Sequence, residues 1–254
     1  MKRLYYETII LYRSAMANVL TRGLSEQVAQ SLGVRIVQGD FATGAKIDNE
    51  DTLGSEFGVS RTVIREAMKR LESKGLVEIR PRLGTTVQPH SRWSNLDPEL
   101  LKWYRSAPPS IEVLLQLREL RTIVEPAGVA LAASRCDDDD IERVMQAYGR
   151  MEKNVKDPEA FATADAEFHS ELLRAARNDY LIALETVIAT DLLSSIKVTN
   201  PNERKNLASL KFHLKVANAV AERDGDAAEK AMRTLLEDAG RRLKEAGKAL
   251  FQTD

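Results

Sequence analysis

The feature that most constrains the fold is a run of about 65 residues in which three helix-like segments precede two strand-like ones. Apolar residues return at three- and four-residue steps from Leu24 to Gln38, which predicts an amphipathic helix. A short helix follows and ends at Gly58, and a third helix runs from about Arg61 to Lys74. Alternating residues on both sides of a turn near Gly84 complete a hairpin. This order predicts a winged helix-turn-helix over residues 24–88.

The rest of the chain is helical by pattern, and the break between the two regions falls at residues 89–109. Prolines there surround one short helix-like stretch, so we interpret the segment as a linker with a short helix. Helical periodicity then predicts helices at about 111–134, 138–155, 158–176, 179–197, 204–222 and 226–248. The sequence therefore predicts a mainly α protein, in which an all-helical bundle of six or seven helices occupies residues 110–250.

Composition limits the class of protein. The 254 residues carry 37 basic and 38 acidic side chains, so the net charge indicates no partner and any electrostatic attraction has to be local. Cys136 is the only cysteine, which excludes an internal disulfide and suits the cytoplasm. Glu7 and Arg13 interrupt the apolar part of residues 1–23, so we expect neither a signal peptide nor a membrane span. We interpret this segment as an N-terminal arm of unknown structure.

A local excess of positive charge lies on the third helix and the hairpin. From Arg61 to Arg92, eight basic residues stand against three acidic ones. Arg61 and Arg65 are one helical turn apart near the helix start, where a recognition helix meets base edges, and the hydroxyls of Ser60 and Thr62 suit phosphate oxygens. A basic helix can also simply face water, but the helix-turn-helix spacing and the arginines of the hairpin favour DNA binding.

The stretch FGVSRTVIREAMKRLESKGLVEIRPRLGTTV resembles the DNA-binding module of GntR-type transcription regulators. Their motif is V-S-R-x-x-[VI]-R-E-A, followed by L-x-x-x-G-L-[VI] and a wing glycine, here Gly84, which the resemblance places near the minor groove. The residues expected to contact double-stranded operator DNA are Ser60, Arg61, Thr62, Arg65, Arg80, Arg82 and Gly84. Fatty-acid-responsive members carry a further DNA-contacting arginine where this chain has Asp51, so that contact is expected to be absent.

Asp165 and His169 lie four positions apart in ADAEFHSELL, a spacing that puts both on one helix face and allows them to share a metal ion. From the residues alone, an ordinary pair on a helix surface explains them as well. The stretches LRELRTIVEPAGVALAA, ADAEFHSELLRAARND and FHLKVANAVAERDGDAAEKAM are similar, in order and spacing, to the FCD-type ligand-binding domain of the FadR subfamily of GntR regulators. The two resemblances together cover residues 24–248.

Metal-containing members of that subfamily bind a divalent ion through one aspartate and three histidines. The resemblance implies Asp165, His169 and His213 as three of these ligands, for zinc or a similar ion. The position of the last histidine holds Leu235, which cannot coordinate a metal. Water or effector oxygens would have to complete the coordination, so metal binding depends on whether three protein ligands suffice.

The resemblance also implies a pocket for a small carboxylate. Arg121 either receives that carboxylate or stays in a permanent pair with Glu125 or Asp165, and Asn178 either contacts the effector or caps the next helix. The expected effector-binding residues are Arg121, Asp165, His169, Asn178 and His213. The stretches RWSNLDPELLKW and DGDAAEKAMRTLLEDAGRRLKE are similar to galactonate-responsive repressors of the subfamily. The implied effector is a sugar acid such as galactonate or a related aldonate.

These patterns predict a transcription regulator, most simply a homodimeric repressor, because two recognition helices that read symmetric half-sites gain affinity and register. We expect no enzymatic activity. The alternative is a metal-dependent hydrolase or lyase that uses Asp165, His169 and His213 and a base such as Glu167 or Glu171. Glu167 lies roughly 200° around the helix from Asp165 and so faces away from the metal ligands. A DNA-binding protein without an effector is disfavoured by the size of the helical region.

Overall fold

The computed structural model describes residues 23–108, 110–199 and 203–250, and the predicted N-terminal arm lies outside these ranges except for Gly23. The chain divides into two compact units, the first ending at Ala107 and the second beginning at Pro108. The elements of the first unit are α1 (23–37), β1 (Lys46–Ile47), α2 (Glu50–Phe57), α3 (Arg61–Ser73), β2 (Val77–Arg80), β3 (Gly84–Val87), a 3-10 turn (His90–Arg92) and α4 (Pro98–Ser106).

Side-chain caps fix where the helices of the helix-turn-helix begin. The Oδ1 atom of Asn49 accepts hydrogen bonds from two backbone N–H groups at the start of α2, and Ser60 Oγ accepts one at the start of α3. Between them Gly58 has a φ of 65°, a left-handed conformation that glycine adopts without steric cost. α3 then buries one apolar face, made of Val63, Ile64, Ala67, Met68 and Leu71. The opposite face, with Arg61 and Arg65, is left to solvent.

The predicted hairpin is part of a three-stranded sheet. β2 and β3 pair antiparallel with Val77 opposite Val87, and β1 pairs with the other edge of β3 through Ile47 opposite Thr85. β1 was not predicted from the sequence, because its two residues are too few to show alternation. The additional strand holds the hairpin against the helices that precede it.

The segment predicted as a linker contributes α4 to the core of the first unit. Asp97 caps this helix, and Trp103, only 1% exposed, packs among the buried residues of α1 and α3. The buried Lys74 Nζ lies 2.8 Å from both Asp97 Oδ1 and Glu99 Oε2, which joins α4 to the end of α3. The short helix predicted within 89–109 is therefore a structural element of the first unit.

Replacing Gly33 with alanine should destabilise the first unit by about 1–3 kcal/mol, because a Cβ there would lie 2.4 Å from Cε3 of Trp103. Trp93 and Trp103 are the only tryptophans of the chain, so tryptophan fluorescence during urea unfolding follows this unit. Gly149→Ala in the second unit is the control and is followed by circular dichroism, because both tryptophans lie in the first unit. Nothing lies within 4 Å of the added Cβ, and alanine in a helix should stabilise by about 0.5–1 kcal/mol. A Gly33→Ala chain as stable as the unmutated one would contradict the packing of α4 on α1.

The second unit contains seven helices in the part of the chain that the structure describes. They are α5 (Ile111–Arg135), α6 (Asp138–Lys153), α7 (Pro158–Ala175), α8 (Asp179–Ile182), α9 (Glu185–Thr199), α10 (Glu203–Ala221) and α11 (Gly225–Leu250). The predicted mainly α fold with six or seven helices is confirmed. The single helix expected at 179–197 is divided into α8 and α9. Among the described helices, none combines the length and apolar character needed to cross a bilayer.

Candidate functional site

The first candidate surface is the solvent face of α3. Arg61, Thr62 and Arg65 are exposed there, while Ser60 caps the helix. Arg61 pairs with Asp51, and Arg65 Nε lies 2.8 Å from both carboxylate oxygens of Glu50. The hydrogen bond and charge of Glu50 raise the pKa of Arg65. Exposed pairs of this kind contribute little to stability, so both guanidinium groups can exchange these partners for phosphates or bases.

The hairpin places a second set of basic residues beside α3. Arg80 Nη2 lies 3.0 Å from Glu78, and Arg82, at the exposed tip, has a left-handed φ of 66° next to Gly84 with a φ of 93°. A groove of about 640 Å³ separates the hairpin from α3. Its lining includes Arg65, Lys69, Arg80, Arg82 and Gly84. The structure thus brings the predicted residues of the helix and of the wing to one cationic surface.

The second candidate site is a buried cluster in the second unit. α7 starts at Pro158, where Asp157 caps it, and this register places Asp165 and His169 on its inner face. α10 brings His213 to the same point, so that His213 Nε2 lies 3.0 Å and His169 Nε2 3.4 Å from Asp165 Oδ1. Asp165 and His169 are therefore not an exposed pair on a helix surface, because their side chains are buried, as is that of His213.

Both imidazoles are oriented through their Nδ1 atoms. His213 Nδ1 lies 3.0 Å from the carbonyl oxygen of Ser209, and His169 Nδ1 faces a carboxylate oxygen of Glu125. These partners only accept, so each Nδ1 carries a proton. Each Nε2 faces Asp165, either with a proton that it donates, in the imidazolium form, or with a lone pair that can bind a metal ion. A lone pair and a carboxylate oxygen 3.0 Å apart repel unless a cation lies between them, either an added proton or a metal ion.

The carboxylates of the cluster are ionised at neutral pH. Burial alone would raise the pKa of Asp165, but the charges and hydrogen bonds of His213 and His169 outweigh it and hold the pKa well below its usual range. Burial opposes ionisation of Glu125 in the same way, and Arg121 and His169 lower the pKa of Glu125 to about 2. Burial would lower the pKa of His169, but Glu125 raises it. The cluster therefore favours cations.

The geometry of the three side chains fits a divalent metal. One donor atom from each lies within 4.8 Å of the others. Two donor atoms that bind one ion at about 2.0–2.2 Å, with tetrahedral or octahedral angles, lie about 2.9–3.5 Å from each other. The distances from Asp165 Oδ1 to the two Nε2 atoms, 3.0 and 3.4 Å, fall in that range. The Nδ1 contacts with a carboxylate and a carbonyl are those that metal-bound histidines make. Leu235 lines the cavity beside these side chains and offers no donor.

Two arginines of α5 flank the cluster. Arg121 is fully buried, pairs with Glu125 and donates from Nη1 to Asp191 Oδ2 at 2.6 Å. Its Nη2 is 3.3 Å from His169 Nε2. The expected pair with Glu125 is present, and the second carboxylate is Asp191, not Asp165. Arg118 and Asp191 were not predicted from the sequence, although an aspartate inside the apolar run VIATDLL is a signal for a buried charge.

All but one of the predicted effector-binding residues lie around one cavity. Arg121, Asp165, His169 and His213 line one cavity of about 30 Å³, together with Arg118 and Ser195. Asn178 does not line it, because its Oδ1 accepts hydrogen bonds from the N–H groups of Tyr180 and Leu181 and so caps α8. Capping, one of the two roles open from the sequence, is the role that the structure gives Asn178.

Comparison with known proteins decides the family. Residues 24–87 match the family of bacterial regulatory proteins named gntR, and residues 116–238 match the FCD domain. The chain is 31% identical over 227 residues to the galactonate operon transcriptional repressor of Escherichia coli K12, with 89% of this chain and 99% of that protein covered. The chain belongs to the GntR family.

Two further comparisons give one more relative in sequence and one neighbour in structure. The HTH-type transcriptional regulator YieP of Escherichia coli K12 is 30% identical over 226 residues, covering 88% of this chain and 96% of that protein. A solved structure of Lar, described as controlling the expression of the Listeria monocytogenes agr system, has a TM-score of 0.63 and 20% identity, covering 87% of this chain and 96% of that one. At 20% identity, the likeness to Lar supports the fold alone.

As a GntR-family transcription regulator, the chain is not an enzyme. The alternative of a metal-dependent hydrolase or lyase on Asp165, His169 and His213 is not supported. The proposed bases are also committed elsewhere, since Glu167 pairs with Arg150 at 2.7 Å and Glu171 with Arg174 at 2.6 Å.

Proposed function

We propose that the chain is a homodimeric repressor that binds operator DNA through α3 and the wing, and releases it when a sugar acid binds in the second unit. Galactonate or a related aldonate is the proposed effector, and zinc or a similar divalent ion the proposed cofactor. The observation that carries the proposal is the convergence of Asp165, His169 and His213 beside two buried arginines, in a domain joined to a DNA-binding module. Such a regulator acts in the cytoplasm, where bacterial operator DNA lies.

The charges of the buried cluster support a metal and an acid together. Arg118 and Arg121 carry two positive charges, and Glu125, Asp165 and Asp191 carry three negative ones. With neutral imidazoles, as metal ligation requires, one negative charge remains uncompensated. A divalent ion changes the balance to one positive charge, and one effector carboxylate neutralises it. Buried charges are stable only when they are compensated in this way.

The size of the cavity indicates how binding is coupled to a conformational change. A cavity of about 30 Å³ holds an ion or one or two water molecules, but not a six-carbon acid. The acid therefore binds an arrangement in which lining side chains are displaced. A ligand that binds one arrangement far better than the other shifts the population between them, which is the requirement for control of DNA binding.

The proposal predicts that Arg65→Ala weakens binding to the chain's own upstream DNA by about tenfold or more, since a base-contacting arginine contributes about 1–3 kcal/mol. An electrophoretic mobility shift at fixed salt measures this, because phosphate contacts make the affinity salt-dependent. Arg233→Ala is the matched control, an exposed arginine of α11 that pairs with Glu229. It should leave DNA binding unchanged.

The same assay tests the effector. Galactonate should release the unmutated chain from this DNA, and galactitol, which has the hydroxyls but no carboxylate, should not. DNA binding that responds neither to Arg65→Ala nor to any aldonate or uronate would show that the proposed function is wrong. Sedimentation of the complex should show two copies of the chain on each operator.

A further inference from the structure

Arg118 is a buried cation with unused hydrogen-bonding capacity. Its side chain, 7% exposed, forms one ion pair, from Nη2 to Asp191 Oδ2 at 3.1 Å. Within the described part of the chain, its Nε and Nη1 atoms have no hydrogen-bond partner. These two atoms carry three of the five N–H donors of a guanidinium group. Buried donors without partners are costly, so each calls for an acceptor that the protein itself does not supply.

Arg121 is the residue that the family resemblance favours for binding an anion, but its charge is already compensated by the protein. Glu125 and Asp191 both compensate its charge, and together they raise its pKa although burial lowers it. For Arg118, burial dominates and lowers the pKa, with Asp191 opposing it only in part. Asp191 Oδ2 is shared between the two arginines. The pair therefore has one guanidinium that is already neutralised and one that is not.

The position of Arg118 connects the buried centre with a larger space. Its side chain lines the cavity of about 30 Å³ that contains Asp165, His169 and His213. It also lines a groove of about 580 Å³ between α5 and α11, where Leu115, Thr122, Leu236 and Gly240 form part of the wall. A volume of this order is typical of sites for small organic ligands. A ligand in the groove meets Arg118 before it reaches the buried centre.

We propose that Arg118, and not Arg121, receives the carboxylate of the effector, and that the acid enters by the groove between α5 and α11. This inference rests on the proposed function, because it assumes a small acid as effector. The carboxylate accepts hydrogen bonds from the free N–H groups of Arg118, and the hydroxyl-bearing chain extends from there. Arg121 is a positioning residue, which holds Glu125 and Asp191 and, through Glu125, the ring of His169.

The test compares Arg118→Met with Arg121→Met in the full chain. Methionine keeps the length of the arginine stem and removes the charge. Calorimetry should show galactonate binding to Arg118→Met about tenfold to a hundredfold more weakly than to the unmutated chain, since charge-assisted hydrogen bonds are lost. Galactitol should bind both chains alike. The zinc affinity of Arg118→Met should not fall, because the described structure shows no hydrogen bond or ion pair between Arg118 and the three proposed ligands, and the substitution removes a positive charge near Asp165.

Unfolding without added acid distinguishes a ligand-binding role from a structural one. Arg118→Met should unfold at the same or a higher temperature than the unmutated chain, because it removes an incompletely compensated buried charge. Arg121→Met should unfold at a lower temperature, because it leaves Glu125 without its partner. If Arg118→Met does not fold, Arg118→Lys replaces it in the calorimetry. Arg118→Lys keeps the charge with fewer donors, so it should bind galactonate more weakly than the unmutated chain. Equal binding would show that Arg118 is structural and that the inference is wrong.

The possible outcomes separate this inference from the proposed function. In one outcome, Arg118→Met still binds galactonate, and Arg121→Met folds but does not bind it. This outcome overturns the role of Arg118 and leaves the proposed function standing. No binding of galactonate, gluconate, galacturonate, glucuronate or lactate by the unmutated chain shows that both are wrong. If Arg118→Met binds every acid more weakly but binds neutral polyols as the unmutated chain does, the result supports both the role of Arg118 and the proposed function.

Discussion

Asp165→Asn is expected to weaken the binding of Zn²⁺ by at least about a hundredfold, since the loss of an outer-sphere partner alone costs about 10- to 100-fold. Asp165 Oδ1 is the atom on which both imidazole Nε2 atoms converge, and no other carboxylate lines the cavity in the part of the chain that the structure describes. Asparagine has nearly the same size, so the packing of α7 should persist. Competition with a chromophoric chelator measures the affinity.

Glu167→Gln is the matched control for this experiment. Glu167 lies on the same helix, two residues from Asp165, but its side chain is exposed and pairs with Arg150. Its replacement should leave the Zn²⁺ affinity within about twofold, because exposed pairs contribute little. A Zn²⁺ affinity that Asp165→Asn does not change would place the ion elsewhere and remove the proposed centre. The two variants carry the same change of charge, so a difference between them reports on position alone.

The fold was predictable because the residues that fix it act locally. Gly58 and Ser60 punctuate the helix-turn-helix, and Asp157 with Pro158 fixes the register of α7, so that Asp165 and His169 face inward. Each of these signals operates within a few residues. The parts that were missed depend on contacts distant in sequence. α4 belongs to the first unit because Trp103 packs against Gly33, which lies 70 positions earlier in the chain.

The candidate site was predictable where a spacing or a motif marks it, and not where one carboxylate is shared between two arginines. Asp165, His169 and His213 were named correctly as neighbours, because two of them lie on one helix face and the family pattern supplies the third. Which arginine is neutralised depends on Asp191, 70 residues from Arg121 and in another helix. Periodicity does not indicate which carboxylate pairs with which guanidinium group. The distinction between Arg118 and Arg121 therefore required the structure.

Asp51 shows how one departure from a family pattern changes the local electrostatics. At the position where the resemblance places a DNA-contacting arginine in fatty-acid-responsive members, this chain has a carboxylate that pairs with Arg61. Glu50, its neighbour, holds Arg65 in the same way. Both arginines of α3 that we expect to contact DNA are thus paired with the first turn of α2 in the described structure. The operator sequence of other members therefore cannot be transferred to this chain.

Leu235→His is expected to strengthen Zn²⁺ binding by at least about tenfold, because a fourth protein ligand closes a tetrahedral site. Leu235 is buried and lines the cavity with the three other side chains, so an imidazole at this position can reach the ion. Leu236→His is the control, since its neighbour is equally buried but lines the groove between α5 and α11 instead. It should lower the stability of the second unit without any gain in Zn²⁺ affinity.

The consequence for the effector follows from coordination. A divalent ion held by three protein ligands keeps a position for an oxygen of the acid or for water, whereas four ligands fill a tetrahedral shell. If an oxygen of the effector binds the ion, Leu235→His should bind zinc more tightly and galactonate more weakly, and operator release should require more galactonate. If galactonate binds both chains equally, its oxygens do not reach the ion, and Arg118 alone would have to supply the recognition of the acid. Calorimetric titrations of the zinc-loaded chains distinguish the two results.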